Sequence, residues 1–416
     1  MLNSGYVFCP NCGYATNRGY YYCQQISRWI EIKRDAFGNP IVSDYTPPNS
    51  SSTNDEVYSF QLLSNKEDFR KGFPLKVSVL STVYETEGAE KTKLTFARSC
   101  PHCAADGIKE VPFELADLPT YVVAVIGERA VGKSCFIHAL SCPHNINAVN
   151  RFRTPEEYRL TAETLADEHS IRPEATEIND IGNTRVMTIT KKTGGKSVDI
   201  AQVLVVDFPG EIFSAEMEEE FNRTAAHIFK GGEGYSGVDA ILFIMDPSDI
   251  NPSREIAINI NPVNRKYSIA TTYNRVSKEL NLLGNRPFAF IMNKTDLFFD
   301  HPDNYTHLAN DSSNPRIPLI TEHTFTNQLY IKSEILPRFT LQTELLRKLF
   351  PILQTVENYS DCAGFFVKTS EPVLNPDSAE HVNEPSQFLN FTKSINVMDP
   401  FLWILNKLDI FPIYDD

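Results

Sequence analysis

Four apolar runs, at residues 121–126, 202–206, 288–292 and 364–368, each break off abruptly into polar residues. Runs of this length without alternation read as strands covered on both faces, as in a parallel sheet. Residues 185–190 instead read as a first hairpin arm, and the turn Thr193-Gly194-Gly195-Lys196 returns the chain along 198–206, which predicts a β-hairpin. Helical spacing marks residues 133–140 and 215–230, the latter through Met217, Phe221, Ala225, Ile228 and Phe229. Segments 271–283 and 341–353 read as amphipathic helices over the sheet, and the charged stretch 155–169 is helix-compatible. The apolar segment 400–405 predicts a helix that packs back on the sheet or serves a partner. Ahead of residue 119 the pattern is β-like: 29–33 alternates, 37–40 is a turn, 47–54 a flexible loop and 75–84 strand-like. The expected architecture is a β-rich domain over 1–118 and an α/β domain over 119–416, with a doubly wound, mostly parallel sheet. No apolar stretch approaches the ~20 residues that span a bilayer, and no repeat or heptad run is evident.

The first apolar run ends in Gly127-Glu128-Arg129-Ala130-Val131-Gly132-Lys133-Ser134, a GxxxxGKS sequence between a strand and a helix. In a phosphate loop the glycines let backbone N–H groups turn inward onto phosphate oxygens. Lys133 would place its charge on the β- and γ-phosphates, and Ser134 would offer a hydroxyl to Mg²⁺. The helix starting at Lys133 and Ser134-Cys135 aims its positive dipole end at the same anion. The competing reading is a chance match, against which the flanking strand and helix count.

Two further runs end in chemistry. Residues 288–292 lead into Asn293-Lys294-Thr295-Asp296, and 202–206 lead into Asp207-Phe208-Pro209-Gly210. Taken with the phosphate loop, these NKxD and DxxG sequences resemble the Ras-like GTPases of the translation-factor superclass. The resemblance implies GTP or GDP as ligand. Asp296 would accept from guanine N1 and its exocyclic amine, Asn293 would tie the base loop together, and the Lys294 stem would cover the ring. Asp207 would reach Mg²⁺ through a water. The Gly210 N–H would contact the γ-phosphate, making the next segment a switch. The family's Mg²⁺-binding switch threonine falls on Thr184, just before the hairpin, with Thr176 and Thr188 as rivals. Thr369-Ser370-Glu371 resembles the last, weak guanine motif, with Glu371 standing where alanine is usual. The resemblance covers residues 119–416.

Glu211 stands where these enzymes place the glutamine that orients the attacking water. A carboxylate there is repelled by the γ-phosphate, or holds a water if a cation compensates. Arg129 occupies the loop position facing the γ-phosphate. It is an arginine finger in cis, a block to a partner's finger, or a solvent-facing residue paired with Glu128 or Glu211. Residues 215–230 form either an ordinary packed helix or a switch helix that docks a partner, with Gly231 to Gly234 as hinge.

Of eight cysteines, Cys9 and Cys12 form one CPxC knuckle and Cys100 and Cys103 another. Two such turns give the four-thiolate site of structural zinc and resemble a zinc ribbon, although far more residues separate them than in a compact ribbon. Alternatives are two unrelated reduced pairs or disulfides. Cys23, Cys135, Cys142 and Cys362 lack ligand spacing. The cysteine usage, with no apolar leader after Met1, fits a reducing cytoplasm. A net charge of −14 argues against broad nucleic-acid binding and favours a protein partner. A CPxC ribbon ahead of a divergent Ras-like domain resembles the bacterial double-GTPase families of conflict and defence systems. That implies a slow GTPase switch gating an effector, with a nucleotide-dependent dimer as one source of missing groups. A GTP- or GDP-bound module without turnover and a GTP-gated zinc-ribbon nucleic-acid binder are the alternatives.

Overall fold

The computed structural model describes residues 6–9, 12, 14–17, 19–47, 58–62, 75–81, 91–106, 118–128, 130–151, 158–162, 165–173, 184–213, 217–224, 226–231, 236–245, 286–295, 332–349, 361–373 and 388–413. The chain divides into two compact units, Met1–Thr120 with Gly231–Ser236, and Tyr121–Lys230 with Gly237–Asp416. Among the described residues no helix is long and apolar enough to cross a membrane.

In the first unit β1 (Tyr6–Phe8) and β2 (Ala15–Asn17) form an antiparallel pair. The next six strands are β3 (Tyr20–Cys23), β4 (Arg28–Arg34), β5 (Pro40–Tyr45), β6 (Tyr58–Leu62), β7 (Leu75–Ser81) and β8 (Lys91–Arg98). Their order in one sheet is β5-β4-β3-β8-β7-β6. The sheet is therefore two three-stranded wings, joined where β3 pairs antiparallel with β8, Tyr21 opposite Arg98. A small core of Tyr21, Cys23, Ile30, Ile32, Val77, Leu94 and Phe96 holds it. Between β4 and β5 the predicted turn is fixed by Asp35, whose Oδ1 accepts from the N–H groups of Phe37 (2.8 Å) and Asn39 (2.7 Å).

The second unit runs β9 (Thr120–Gly127), α1 (Lys133–Leu140), α2 (Pro143–Asn150), β10 (Tyr158–Ala162), β11 (His169–Ile171), β12 (Arg185–Thr193) and β13 (Lys196–Asp207). It continues with α3 (Glu218–Thr224), α4 (Ala226–Lys230), β14 (Ala240–Met245), β15 (Phe288–Met292), α5 (Lys332–Leu349) and β16 (Cys362–Phe366). Last come β17 (Glu371–Pro372), β18 (Phe388–Asn390) and α6 (Met398–Lys407). The main sheet has seven strands in the order β10-β12-β13-β9-β14-β15-β16, and a separate three-stranded sheet has the order β11-β18-β17. Strands β9, β14, β15 and β16 pair in parallel, while β10, β12 and β13 form an antiparallel wing.

Alternation divides the central strands between two faces. One face carries Val123, Val125, Leu242, Ile244, Ala289 and Ile291, packed with Phe136 of α1 and with Phe401, Leu402 and Trp403 of α6. Residue 400–405 thus lies in a helix buried on the sheet. The other face carries Phe243, Phe288 and Phe290, in mutual ring contact at 4.6–5.9 Å.

Three expectations need correction. The described residues of 155–169 are not helical: β10 lies in it and β11 starts at its end, and Tyr158 and Leu160 alternate into the core while β10 forms the sheet edge against β12. Segment 215–230 holds two short helices, α3 and α4, rather than one. The helix expected at 341–353 begins earlier, at Lys332, and runs through Pro337 to Leu349. The helix expected at 271–283 lies outside the described residues.

Candidate functional site

The loop after β9 is shaped by close approach. Gly127 has φ 150°, and a Cβ there would lie 2.3 Å from the carbonyl oxygen of Ile244 in β14. Gly132 has φ 94°, and its Cβ would lie 2.4 Å from Asn293 Nδ2. Ala130, at φ 64°, is the one non-glycine left-handed residue of the described loop, while Val131 is fully buried. The buried Lys133 returns over the loop, its Nζ donating to the carbonyls of Gly127 (3.0 Å) and Glu128 (2.8 Å).

Ser134 Oγ donates to Asp207 Oδ2 at 2.9 Å. Strand β13 brings Asp207 there, and the Phe208 N–H bonds the carbonyl of Val125 in β9 at 3.2 Å. Gly210 is buried and opens a 3-10 turn, Gly210–Phe213. Thr184 immediately precedes β12, in which Arg185 stands opposite Val205. The hairpin register therefore returns Thr184 to the sheet end that carries Asp207. The Thr184 hydroxyl is buried and has no hydrogen-bond partner among the described residues. Its rival Thr188 is opposite Gln202, inside the hairpin, and Thr176 lies outside the described residues. This donor set of two hydroxyls and a carboxylate suits a hard divalent cation such as Mg²⁺.

The third loop closes over the first. Asn293 Nδ2 donates to the carbonyl of Val131 at 2.9 Å, and Lys294 Nζ donates to that of Ala130 at 3.0 Å. Asn293 is 1% exposed, and its Oδ1 finds no partner among the described residues. Lys294 takes φ 54° to make the turn. Thr295, unremarked in the sequence, joins two strand ends: its Oγ1 donates to the carbonyls of Met292 (3.0 Å) and Val367 (2.7 Å). Thr369 is buried and Ser370 half-buried beyond the Lys368–Ile395 bridge. Glu371, the departure from the alanine of the resembling motif, forms an ion pair with Lys368. Arg129 and Asp296 lie outside the described residues, as does the Glu211 side chain.

In the first unit, Cys9 and Cys12 occupy the turn between β1 and β2, and Cys100 and Cys103 follow β8. The Sγ atoms of all four lie within 4.8 Å of one another. Cys9 and Cys103 are 3.8 Å apart, and Cys12 and Cys100 3.6 Å. Zn–S bonds of ~2.3 Å in a tetrahedron imply edges of about 3.8 Å. All eight cysteines are free thiols, so the disulfide reading does not hold. Contacts from Cys100, Cys103 and Cys12 hold the Cys9 thiol far below the ordinary range. The same crowding, led by Cys100, pushes Cys12 far up, and Cys100 rises through Cys103 first. Bare sulfurs this close resist ionising together, and a divalent cation removes that conflict. The Tyr14 ring stacks on His102 at 4.6 Å, linking the two knuckles.

No family model and no curated protein matches the chain. Solved structures do. The G domain of the T. maritima FeoB iron transporter is 14% identical, with 46% of this chain and 83% of that chain covered and a TM-score of 0.21. A septin GTPase domain from Chlamydomonas reinhardtii is 15% identical, covering 70% and 94%, with a TM-score of 0.34. A GTP-binding protein of Sulfolobus solfataricus, solved with GDP, is 12% identical, covering 47% of this chain and 44% of that one, with a TM-score of 0.21.

Proposed function

We propose that the second unit binds GTP and GDP with Mg²⁺ and hydrolyses GTP slowly as a switch. One observation carries the reading: Asn293 reaches across to the Val131 carbonyl at 2.9 Å, lacing an NKxD loop onto a GxxxxGKS loop distant in sequence. Adjacency of this kind lets one ligand use a phosphate site and a base site together.

In this reading the N–H groups of the 127–134 loop and of Cys135 hold the phosphates. Lys133 exchanges its two carbonyl partners for β- and γ-oxygens. Ser134, Thr184 and Asp207 hold Mg²⁺, which when bound offsets charge on the β- and γ-phosphates. Gly210 donates its N–H to the γ-phosphate, a contact that exists only with triphosphate bound and makes the next segment a switch. Asp296 reads guanine, while Thr369 and Ser370 line its other edge. Adenine would leave the Asp296 carboxylate unsatisfied. Arg129 and Glu211 are the catalytic candidates. Glu211, in place of glutamine, also supports a second reading, a nucleotide-bound module that does not turn over without its partner.

Zinc is proposed for Cys9, Cys12, Cys100 and Cys103, where it would clamp the two knuckles. A protein effector gated in a reducing cytoplasm, in a defence system, follows from the resemblance to double-GTPase families.

The test is to denature freshly purified protein, identify the released nucleotide and metal, and follow added GTP over hours. GDP with about one zinc per chain, and GTP consumed, supports the switch. Intact GTP that never decays supports the module. No guanine nucleotide, with a Lys133→Ala variant indistinguishable from the parent, defeats both.

A further inference from the structure

A chain of short hydrogen bonds laces residues 367–371 to the phosphate loop. Asn293 ties its own loop to Val131. Two residues on, Thr295 donates both its N–H (3.2 Å) and its Oγ1 (2.7 Å) to the Val367 carbonyl. Lys368 then exchanges main-chain bonds with Ile395: its N–H donates at 3.1 Å and its carbonyl accepts at 2.7 Å. Three residues later Glu371 stands opposite Asn390 in the β17–β18 pair. Both ends of 368–371 are therefore pinned to the segment 390–395. That segment is folded in turn by Asn390, whose Oδ1 accepts from the Thr392 N–H (3.0 Å) and Oγ1 (2.7 Å). Thr369 and Ser370 form an arch between the two pins.

The arch carries donors, and an acceptor stands beside them. Among the described residues no hydrogen bond engages the N–H of Thr369 or of Ser370. Open backbone donors on a short arch suit a carbonyl or an anion. The Glu371 carboxylate is such an anion, and a glutamate can reach back to an N–H about three residues earlier, as in a helix capping box. Occupied in that way, the donors would be lost to any ligand. Instead the carboxylate forms an ion pair with the Lys368 ammonium. The Lys368 side chain is 13% exposed and that of Glu371 35%, so the pair lies partly out of water, where screening is weaker. Alanine at position 371 would need no such partner; glutamate does.

Resting on the guanine-nucleotide reading, we propose that Lys368 is a positioning residue for base recognition: it holds the Glu371 carboxylate off the Thr369 and Ser370 N–H groups, which stay available to the 6-oxo group of guanine. Lys368 acts through Glu371 and does not itself touch the base. A 6-oxo purine accepts from the arch, whereas the 6-amino group of adenine would set a donor against donors.

The test is a titration of full-length protein with GDP and with 6-thio-GDP, which keeps N1–H and the 2-amino group but replaces the 6-oxo oxygen by a weaker acceptor. The parent should prefer GDP. Lys368→Ala should lower GDP affinity by up to about tenfold and 6-thio-GDP affinity much less. Lys368→Arg should keep the preference. Adding Glu371→Ala to Lys368→Ala should recover most of the loss, because the competing carboxylate is gone; a merely structural ion pair would show no such rescue. The assignment is overturned by a parent without preference, by unchanged GDP affinity in Lys368→Ala, by equal losses for both nucleotides, or by a double variant as weak as the single one. Parent protein that binds neither nucleotide defeats the underlying reading instead. Should Lys368→Ala not fold, Lys368→Gln carries the same criteria, alone and combined with Glu371→Ala.

Discussion

The two units solve the problem of small loops differently. The second unit has a double-sided core, aliphatic on one face of the sheet and phenylalanine-rich on the other, so the loops of its proposed nucleotide site are braced by strands ending beside them. Lys133 and Asn293 need only short hydrogen bonds to carbonyls of the 127–134 loop, and Ser134 one to Asp207 at a strand end. Among the described residues, the cysteine unit has the β1/β2 pair, a six-stranded sheet and a buried core of seven residues. There the proposed zinc would serve as a brace for the two knuckles. Where a core is thick, a site can stay open for a ligand that comes and goes; where it is thin, the site is consumed in holding the fold.

The most forceful way to break this contrast is to remove metal. Zinc contributes roughly 10–16 kcal/mol to small metallo-domains, so a strong chelator should unfold the first unit. It should leave guanine-nucleotide binding by the second in place. Limited proteolysis and nucleotide titration after chelation read both effects, and loss of binding together with the first unit would show that the units are not separable.

A smaller effect is expected from Phe229→Ala. Phe229 is 1% exposed and touches the rings of Phe208 (4.9 Å), Phe213 (5.8 Å) and Phe221 (6.0 Å). Truncating a buried phenylalanine costs about 3–5 kcal/mol. Denaturant unfolding should therefore report a large loss in the second unit, with zinc content unchanged. Because Phe208 and Phe213 flank Gly210, affinity for the triphosphate analogue should fall more than affinity for GDP. Equal losses would mean that this cluster does not sense the γ-phosphate.

Asp296→Asn should leave stability within about 0.5 kcal/mol and change only which base is accepted, shifting preference from GTP toward XTP. The carboxylate's two acceptors become one acceptor and one donor. Competition binding decides it, and retained GTP preference would mean that another group reads the base.

Much of this was legible in local sequence. The strand ahead of Gly127, the hairpin from Arg185 to Asp207 and the run ending at Met292 announced themselves, because a strand buried on both faces admits few polar residues. The cysteine knuckles did so through spacing. What stayed hidden depended on partners far along the chain. Tyr158 and Leu160 sit in a charged stretch whose alternation has meaning only beside β12. The sheet joining β11, β18 and β17 has strands of two or three residues, too short for any periodicity. Strand β14, Ala-Ile-Leu-Phe-Ile-Met, had an ample signal, but no motif follows it to attract notice. Glu371 read as a defect of the guanine motif, yet Lys368, three residues earlier, answers its charge.

The two glycines of the phosphate loop answer to different neighbours. Gly127 is required by the backbone of Ile244, which is architecture; Gly132 is required by the Asn293 side chain, which on the proposed reading is ligand machinery. A descendant of this protein that had abandoned nucleotide altogether would be free to exchange Gly132 and Asn293 as a pair. It would still be obliged to keep Gly127, as a relic of how its sheet was assembled.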